Sequence, residues 1–169
     1  RVEYSDWQIP KERYYSEKHI KEEIENHVLF PFYEQNGASN PEKLFKQFLI
    51  DHADKIKYWY KNGDSGREHF AIDYVDSNGV KRLFYVDFIV VTMDNRIGLF
   101  DTKTLKSDIV DANKHNALRK WMRNNGEQYF GGILIPVETA GVWKFYYSNF
   151  DLEENKYIDT TTGFTDLRF

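Results

Sequence analysis

The sequence predicts an α/β domain in which a mixed β-sheet is flanked by helices. Three observations predict this fold class. A clear helix start lies near residue 40, short apolar segments separated by turn residues fill the middle of the chain, and a second helical stretch precedes two more apolar segments. Helices before and after a set of strands can cover both faces of one sheet. A chain of 169 residues is long enough to bury such a core.

Residues 1–36 are interpreted as an N-terminal extension or connector, and residues 37–169 as the domain itself. Within the extension we expect an exposed helix at about residues 12–27, where Lys and Glu are dense and Ile20 and Ile24 lie four positions apart. The chain begins with Arg1 and not with Met, so we interpret it as a fragment of a longer polypeptide.

The first helix of the domain is predicted from the residues at its start. Asn40 can cap a helix, Pro41 fits the first helical position, and Glu42 suits the positive end of the helix dipole. The apolar residues that follow form one stripe: Leu44, Phe45, Phe48 and Leu49.

The middle of the chain is predicted to be rich in strands, at residues 57–60, 69–75, 80–91 and 97–103. The dipeptide Asn62-Gly63 ends the first strand, and the Asp-Ser-Asn-Gly turn at residues 76–79 predicts a hairpin between the second and third. A further turn at residues 93–96 makes the third and fourth strands hairpin neighbours.

A second helix is predicted at about residues 108–124, with Ala112, Leu118 and Trp121 buried, and strands follow at residues 129–137 and 142–148. Residues 103–123 contain six basic side chains and two acidic ones, a local charge of +4 in a chain whose net charge is −4. A basic element on an acidic body suits a protein that meets phosphate at one face. The alternative is a solvated helix face.

Composition excludes several classes of site. Apolar residues make up 41% of the chain and charged residues 30%, as in a soluble globular protein, and no apolar run approaches the length of a membrane span, so we expect no membrane partner. The absence of cysteine excludes disulfides and thiolate zinc sites and makes the cytoplasm the simplest location. The five histidines lack metal-ligand spacing, and neither a phosphate-binding loop nor a serine nucleophile elbow occurs.

Three polar residues interrupt the apolar strands and form the candidate site. Asp87 lies within an apolar run, and Asp101 and Lys103 project from the same face of the next strand because strand side chains alternate with period two. The intervening turn allows Asp87 and Asp101 to converge. Two close carboxylates repel each other unless a cation lies between them, and their oxygens suit Mg²⁺ or Mn²⁺. Lys103 could then orient water or neutralise developing charge.

This pattern resembles the PD-(D/E)XK restriction-endonuclease-like superfamily, in particular the endonuclease domain at the C-terminus of type III restriction enzyme Res subunits. The likeness is carried by residues 85–90 (YVDFIV) and 100–103 (FDTK), and residues 40–45, 59–62 and 117–121 are also similar. It extends from about residue 40 to residue 148. Val86 stands where the family usually has proline, and Asp101 where these relatives more often have glutamate.

The resemblance implies a restriction-endonuclease-like core and Mg²⁺- or Mn²⁺-dependent hydrolysis of DNA. Asp87 and Asp101 would hold the metal, Lys103 would assist catalysis, and Glu42 would join the site. The implied partners are DNA, an ATP-driven helicase domain in the same longer chain, and a modification methyltransferase subunit. An isolated fragment is expected to be weakly active or inactive. For contact with nucleic acid we predict Lys61, Asn62, Lys106, Lys114, Arg119 and Lys120.

Two other functions compete with this hypothesis. The first is a non-catalytic domain that binds nucleic acid or partner subunits through the basic helix, including Arg123. The second is an interaction module whose aromatic strands contact other subunits. The aromatic residues near positions 129–130 and 143–147 could stack bases, but core and sheet packing is our interpretation of them. His115 could touch phosphate, but we interpret it as a surface histidine.

Overall fold

The computed structural model describes residues 7–10, 23–24, 27–29, 32–33 and 38–169. Most of the helix expected at residues 12–27 lies outside the described residues. The described part of that segment is not helical, because residues 23–24 form a short strand and His27 makes a bridge to Trp59. Trp7, in the same extension, donates a hydrogen bond to the Glu68 carbonyl oxygen (3.0 Å).

In chain order the elements are β1 (Glu23–Ile24), β2 (Phe32–Tyr33), α1 (Asn40–Asp51), β3 (Ile56–Lys61), β4 (Ile72–Val75), β5 (Lys81–Phe84), β6 (Phe88–Thr92), β7 (Ile97–Thr102), β8 (Ile109–Val110), α2 (Ala112–Asn125), β9 (Tyr129–Thr139), β10 (Val142–Tyr147), β11 (Lys156–Tyr157) and β12 (Thr165–Asp166). The predicted α/β class is confirmed, with a mixed sheet flanked by two helices. Among the described residues, no helix is long and apolar enough to cross a membrane.

The central sheet has the strand order β12-β10-β9-β7-β6-β3. Strands β7 and β9 run parallel, and every other neighbouring pair in this sheet is antiparallel. Parallel neighbours need a long crossover, which α2 supplies between β7 and β9. Gly131 has a φ of +121°, and a Cβ there would lie 2.2 Å from the Leu99 carbonyl oxygen, so glycine allows β9 to close against β7.

Each face of the sheet is covered by one helix. On the α1 face, Phe45 and Leu49 pack against strand residues that include Trp59 and Phe100. The opposite α2 face packs Leu118 and Met122 of the helix against the strand residues Tyr60, Ile89 and Leu99. Neighbours such as Leu99 and Phe100 point to opposite faces, as the pleat requires.

The strand predicted at residues 80–91 is broken in two. β5 pairs with β4 in a separate two-stranded ribbon, whereas β6 begins at Phe88 in the central sheet. The side chain of Asn62 stabilises the break: its Nδ2 donates to the carbonyl oxygens of Phe70 (2.7 Å) and Val86 (2.9 Å), and its Oδ1 accepts from the Phe70 amide (3.0 Å). As a result, Asp87 lies at the entrance to β6 and not inside a continuous strand.

The chain after Phe150 completes the structure around α2. Leu152 and Ile158 are buried against Val110 and Ile133 in a third core cluster. The side chain of Asn155 accepts a hydrogen bond from the first amide of α2, at Ala112 (2.8 Å). This tail therefore helps to fix the start of α2, which lies beside the candidate site.

Candidate active site

The two aspartates of the candidate site meet through the register of β6 and β7. These antiparallel strands pair Phe88 with Phe100 at the end of their ladder, and Asp87 and Asp101 are the next residues beyond that pair, one on each strand. The amide of Asp87 donates to the carbonyl oxygen of Phe100 (2.9 Å), so Asp87 is tied to β7 at Phe100 and is not in regular register with Asp101. The two carboxylates converge as the sequence predicts, since each lies close enough to shift the pKa of the other.

Asp87 has one carboxylate oxygen fixed by the neighbouring strand. Its Oδ2 accepts hydrogen bonds from the amide (2.8 Å) and the hydroxyl (2.9 Å) of Thr102. The residue keeps partial access to solvent, but protein atoms surround its carboxyl group. Burial and the negative charge of Asp101 raise the pKa of Asp87 to about 7. The nearby positive charge is therefore too small to offset burial and the charge of Asp101 at this carboxyl group.

Asp101 is only 7% exposed, and its Oδ2 lies close to two possible donors. The Nε2 of His115 is 3.3 Å from this oxygen, and the Nζ of Lys103 is 3.5 Å from it. Burial alone would raise the pKa of Asp101, but the hydrogen bond and charge of His115 and the charge of Lys103 together lower it. Asp101 is therefore the ionised member of the pair at neutral pH.

Lys103 lies on the same side as Asp101, as the strand period predicts. Its amide donates to the Leu134 carbonyl oxygen (2.9 Å), so the backbone still pairs with β9 at this point. Burial acts to lower the pKa of Lys103, but the negative charges of Asp101, Asp87 and Asp108 raise it. Its side chain is 28% exposed, so the ammonium group is both charged and open to solvent.

Glu42 reaches the site from the first turn of α1. The helix is capped by Ser39 and not by Asn40 as expected, and Glu42 Oε2 accepts from the Ser39 amide (2.8 Å). Its Oε1 forms an ion pair with Lys61 Nζ (3.0 Å), and that ammonium lies 3.4 Å from the Asp87 carbonyl oxygen. Burial acts to raise the pKa of Glu42, but the charge of Lys61 and the Ser39 amide lower it.

The donor set fits a hard divalent cation. Two carboxylates lie within reach of each other, and burial together with the charge of Asp101 raises the pKa of Asp87 despite the opposing charge of Lys61. Mg²⁺ in proteins commonly uses one or two carboxylates and keeps several waters. In the part of the chain that the structure describes, no group of three or more His, Cys, Asp or Glu side chains is arranged to hold a metal ion. Asp87 and Asp101 are the two carboxylates of the site that could hold such an ion.

The residues predicted to contact nucleic acid fall into two groups. Lys106 and Lys120 are exposed, and Lys114 is half-buried with its ammonium above the ring of Phe84 (5.7 Å). Arg119, in contrast, forms an ion pair with Asp151 (2.7 Å).

Asn62 and Lys61 are held inside the protein by contacts already described. Asn62 is 2% exposed, and its amide bonds to the backbone of Phe70 and Val86. We therefore assign Asn62 a structural role and no contact with nucleic acid. Lys61 belongs to the site through Glu42.

His115 is the site residue that sequence interpretation placed wrongly. It is 3% exposed, lies edge-on to Phe84 (5.3 Å between ring centres), and contacts Asp101. Within the described residues its Nδ1 is buried without a hydrogen-bond partner. Helical spacing could have located it, because position 115 falls on the buried stripe that includes Ala112 and Leu118.

Comparison of the chain with family models, with curated proteins and with solved structures found no match. The chemistry of the site must therefore be argued from its own residues.

Proposed function

We propose that this domain is a metal-dependent nuclease that hydrolyses phosphodiester bonds in DNA, built on a restriction-endonuclease-like core. The observation that carries the proposal is the approach of Asp87 to Asp101, just before β6 and near the end of β7, with the ammonium of Lys103 3.5 Å from Asp101. A purely structural role does not explain the two aspartates, because repulsion between adjacent carboxylates destabilises a fold that holds no cation between them.

Asp87 and Asp101 would hold Mg²⁺ or Mn²⁺. When bound, such an ion supplies Lewis-acid polarisation of a phosphate oxygen and promotes ionisation of a water molecule. The chain's own part is to present two carboxylates in a fixed orientation. Thr102 fixes Asp87 through two hydrogen bonds, and the β6–β7 ladder sets the separation of the two strands.

Lys103 would act on the phosphate group that undergoes hydrolysis. Its ammonium is charged, partly exposed and next to Asp101, so it can stabilise negative charge as that charge develops or orient the attacking water. Glu42 and Lys61 form a second acid–base pair beside Asp87. We assign Lys61 a place close to the substrate backbone and Glu42 the task of holding Lys61 there.

The exposed or half-buried lysines on the α2 side would contact the DNA backbone. Lys106, Lys114 and Lys120 are the members of the predicted set that remain suitable, since Arg119 is paired with Asp151. The choice of DNA, and of a longer helicase–nuclease chain that works with a modification subunit, follows the family resemblance. In that arrangement a motor domain delivers the substrate, so the domain alone would cut slowly.

A plasmid-nicking assay tests the proposal. Supercoiled DNA is incubated with the protein and Mn²⁺ or Mg²⁺, beside Asp101→Ala and the control Asp54→Asn. Asp54 is exposed in the turn after α1, at the opposite end of that helix from Glu42. We expect nicking by the parent and by Asp54→Asn, inhibition by EDTA, and loss of nicking in Asp101→Ala. Equal cleavage by Asp101→Ala and the parent would rule out the assignment.

One observation favours a second candidate, a nuclease-fold domain that binds nucleic acid without cutting it. The third acid, Glu42, is already paired with Lys61 at 3.0 Å, which leaves two carboxylates for a cation. Binding to DNA that persists in EDTA, with a steep salt dependence and no nicking, would support this candidate over the nuclease.

A further inference from the structure

His115 is a buried polar residue on an otherwise apolar stripe of α2. The buried positions of the helix are Ala112, His115, Leu118 and Met122, and three of these four pack as ordinary core residues. A buried imidazole is costly unless its nitrogens are hydrogen-bonded, so an apolar side chain would stabilise this position better if packing were its only purpose. Core packing therefore does not explain why this position is a histidine.

The contacts of His115 supply that explanation. Its Nε2 lies 3.3 Å from Asp101 Oδ2, whereas its Nδ1 has no partner among the described residues and the ring lies edge-on to Phe84. Among the residues that the structure describes, the polar contact of the ring is thus with the carboxylate of the site. Lys103 approaches the same oxygen, at 3.5 Å.

The two aspartates are held in a matching way. Thr102 donates twice to Oδ2 of Asp87, and His115 and Lys103 both lie against Oδ2 of Asp101. Each carboxylate thus has one oxygen engaged by the chain. A carboxylate fixed in this manner cannot rotate away from a cation, which is how residues behind metal ligands strengthen metal binding.

We propose that His115 is a positioning residue for the metal ligand Asp101: its Nε2–H fixes Oδ2 and leaves the other carboxylate oxygen for the cation. This inference rests on the proposed function, since it assumes that Asp101 binds a divalent ion. It adds a residue of α2 to a site whose other members come from α1 and the strands.

Mn²⁺ binding to the whole chain, measured by the EPR signal of free Mn²⁺, tests the inference. His115→Leu introduces an apolar side chain of similar bulk and removes the imidazole N–H donor. His115→Gln retains an N–H at a comparable reach. We expect His115→Leu to weaken Mn²⁺ binding by about 10-fold to 100-fold, and His115→Gln to stay within about threefold of the parent. Equal affinity of His115→Leu and the parent would overturn the proposal.

Leu118→Ala is the control for loss of packing. Leu118 is fully buried one turn along the same stripe, so its truncation should lower the melting temperature and leave the Mn²⁺ affinity unchanged. A similar loss of affinity in Leu118→Ala and His115→Leu would show that packing explains the effect, and would overturn the positioning role.

A second measurement needs no variant. In ¹⁵N spectra of the parent, addition of Mg²⁺ should shift the imidazole signals of His115 and leave those of His69, which hydrogen-bonds to Tyr60, in place. If Mg²⁺ binds without shifting the His115 signals, the positioning role of His115 is contradicted but the proposed function is not. If the parent fails to bind Mn²⁺ or Mg²⁺ in a manner that depends on Asp101, the proposed function fails and the inference fails with it.

Discussion

Asp87 and Asp101 lie beside each other just beyond the last pair of the β6–β7 ladder, and burial and the charge of Asp101 raise the pKa of Asp87 to about 7. The neighbours relieve the two members unequally: His115 and Lys103 lie against Asp101, whereas the charge of Lys61 and the Thr102 amide do not offset burial and the charge of Asp101 at Asp87. Sites that bind ligands often carry such unrelieved charge at the expense of stability.

Asp87→Asn should stabilise the metal-free protein. The pKa of Asp87 rises from its ordinary value of 3.8 to about 7 in the folded state, so the folded protein holds this proton more tightly than the unfolded chain does. The parent therefore loses stability as the pH rises from about 4 to about 7. In EDTA at about pH 8, we expect the variant to gain about 1–2 kcal/mol, or about 2–8 °C in melting temperature.

Denaturant unfolding of the parent and of Asp87→Asn across this pH range measures the effect. The advantage of the variant should grow with pH, while the control Asp54→Asn should follow the parent. A variant that is less stable than the parent at every pH would show that the carboxylate has a structural role.

The affinity for Mn²⁺ should rise with pH. A cation must replace the proton on Asp87, so below about pH 7 the dissociation constant should fall by up to about tenfold per pH unit and then level off. Calorimetry in buffers of different ionisation enthalpy would also detect the released proton. An affinity that does not change between about pH 5 and pH 8 would contradict binding through Asp87.

Lys103→Met should separate chemistry from metal binding. The change removes the ammonium but keeps most of the aliphatic chain, so we expect Mn²⁺ affinity within about threefold of the parent or slightly improved. The rate of DNA nicking should fall by about 100-fold to 1,000-fold. Lys55→Met, at an exposed position in the turn after α1, is the matched control and should nick at nearly the parent rate. Unchanged nicking by Lys103→Met would remove this lysine from the mechanism.

Asn62→Ala should destabilise the fold and have no specific effect on DNA binding. The change leaves the amide of Phe70 and the carbonyl oxygens of Phe70 and Val86 without their partner. We expect a loss of about 3 kcal/mol in the free energy of unfolding, since each unpaired buried group costs about 1–3 kcal/mol. Circular dichroism melts measure the loss. A variant that melts like the parent but binds DNA less tightly would restore the nucleic-acid role first predicted for Asn62.

The sequence predicts the parts of this site that depend on local periodicity. Asp101 and Lys103 share a face because strand side chains alternate, and the short turn after β6 makes β6 and β7 neighbours. The position of Asp87 near Asp101 then follows, because Asp87 immediately precedes β6. Pro41 and Glu42 predict the start of α1, although the cap itself is Ser39 and not Asn40.

The features that the sequence does not predict depend on contacts between distant residues. The strand predicted at residues 80–91 contains no turn residues at the point where it breaks, because the Val86 carbonyl oxygen is satisfied by Asn62, which lies 24 positions earlier. The burial of His115 was missed for a related reason: a histidine on a basic helix suggests solvent, and only its helical spacing from Leu118 indicates the core. The short strands β8, β11 and β12 are too brief to show a period.

A crystal soaked in Mn²⁺ gives the most direct test of the central claim, that Asp87 and Asp101 together hold a divalent cation. We predict an anomalous difference peak between the two carboxylates, with Oδ2 of Asp87 still bonded to Thr102, and no such peak in crystals of Asp101→Ala. A soaked crystal without a peak at this position, at a Mn²⁺ concentration that saturates binding in solution, would contradict the claim.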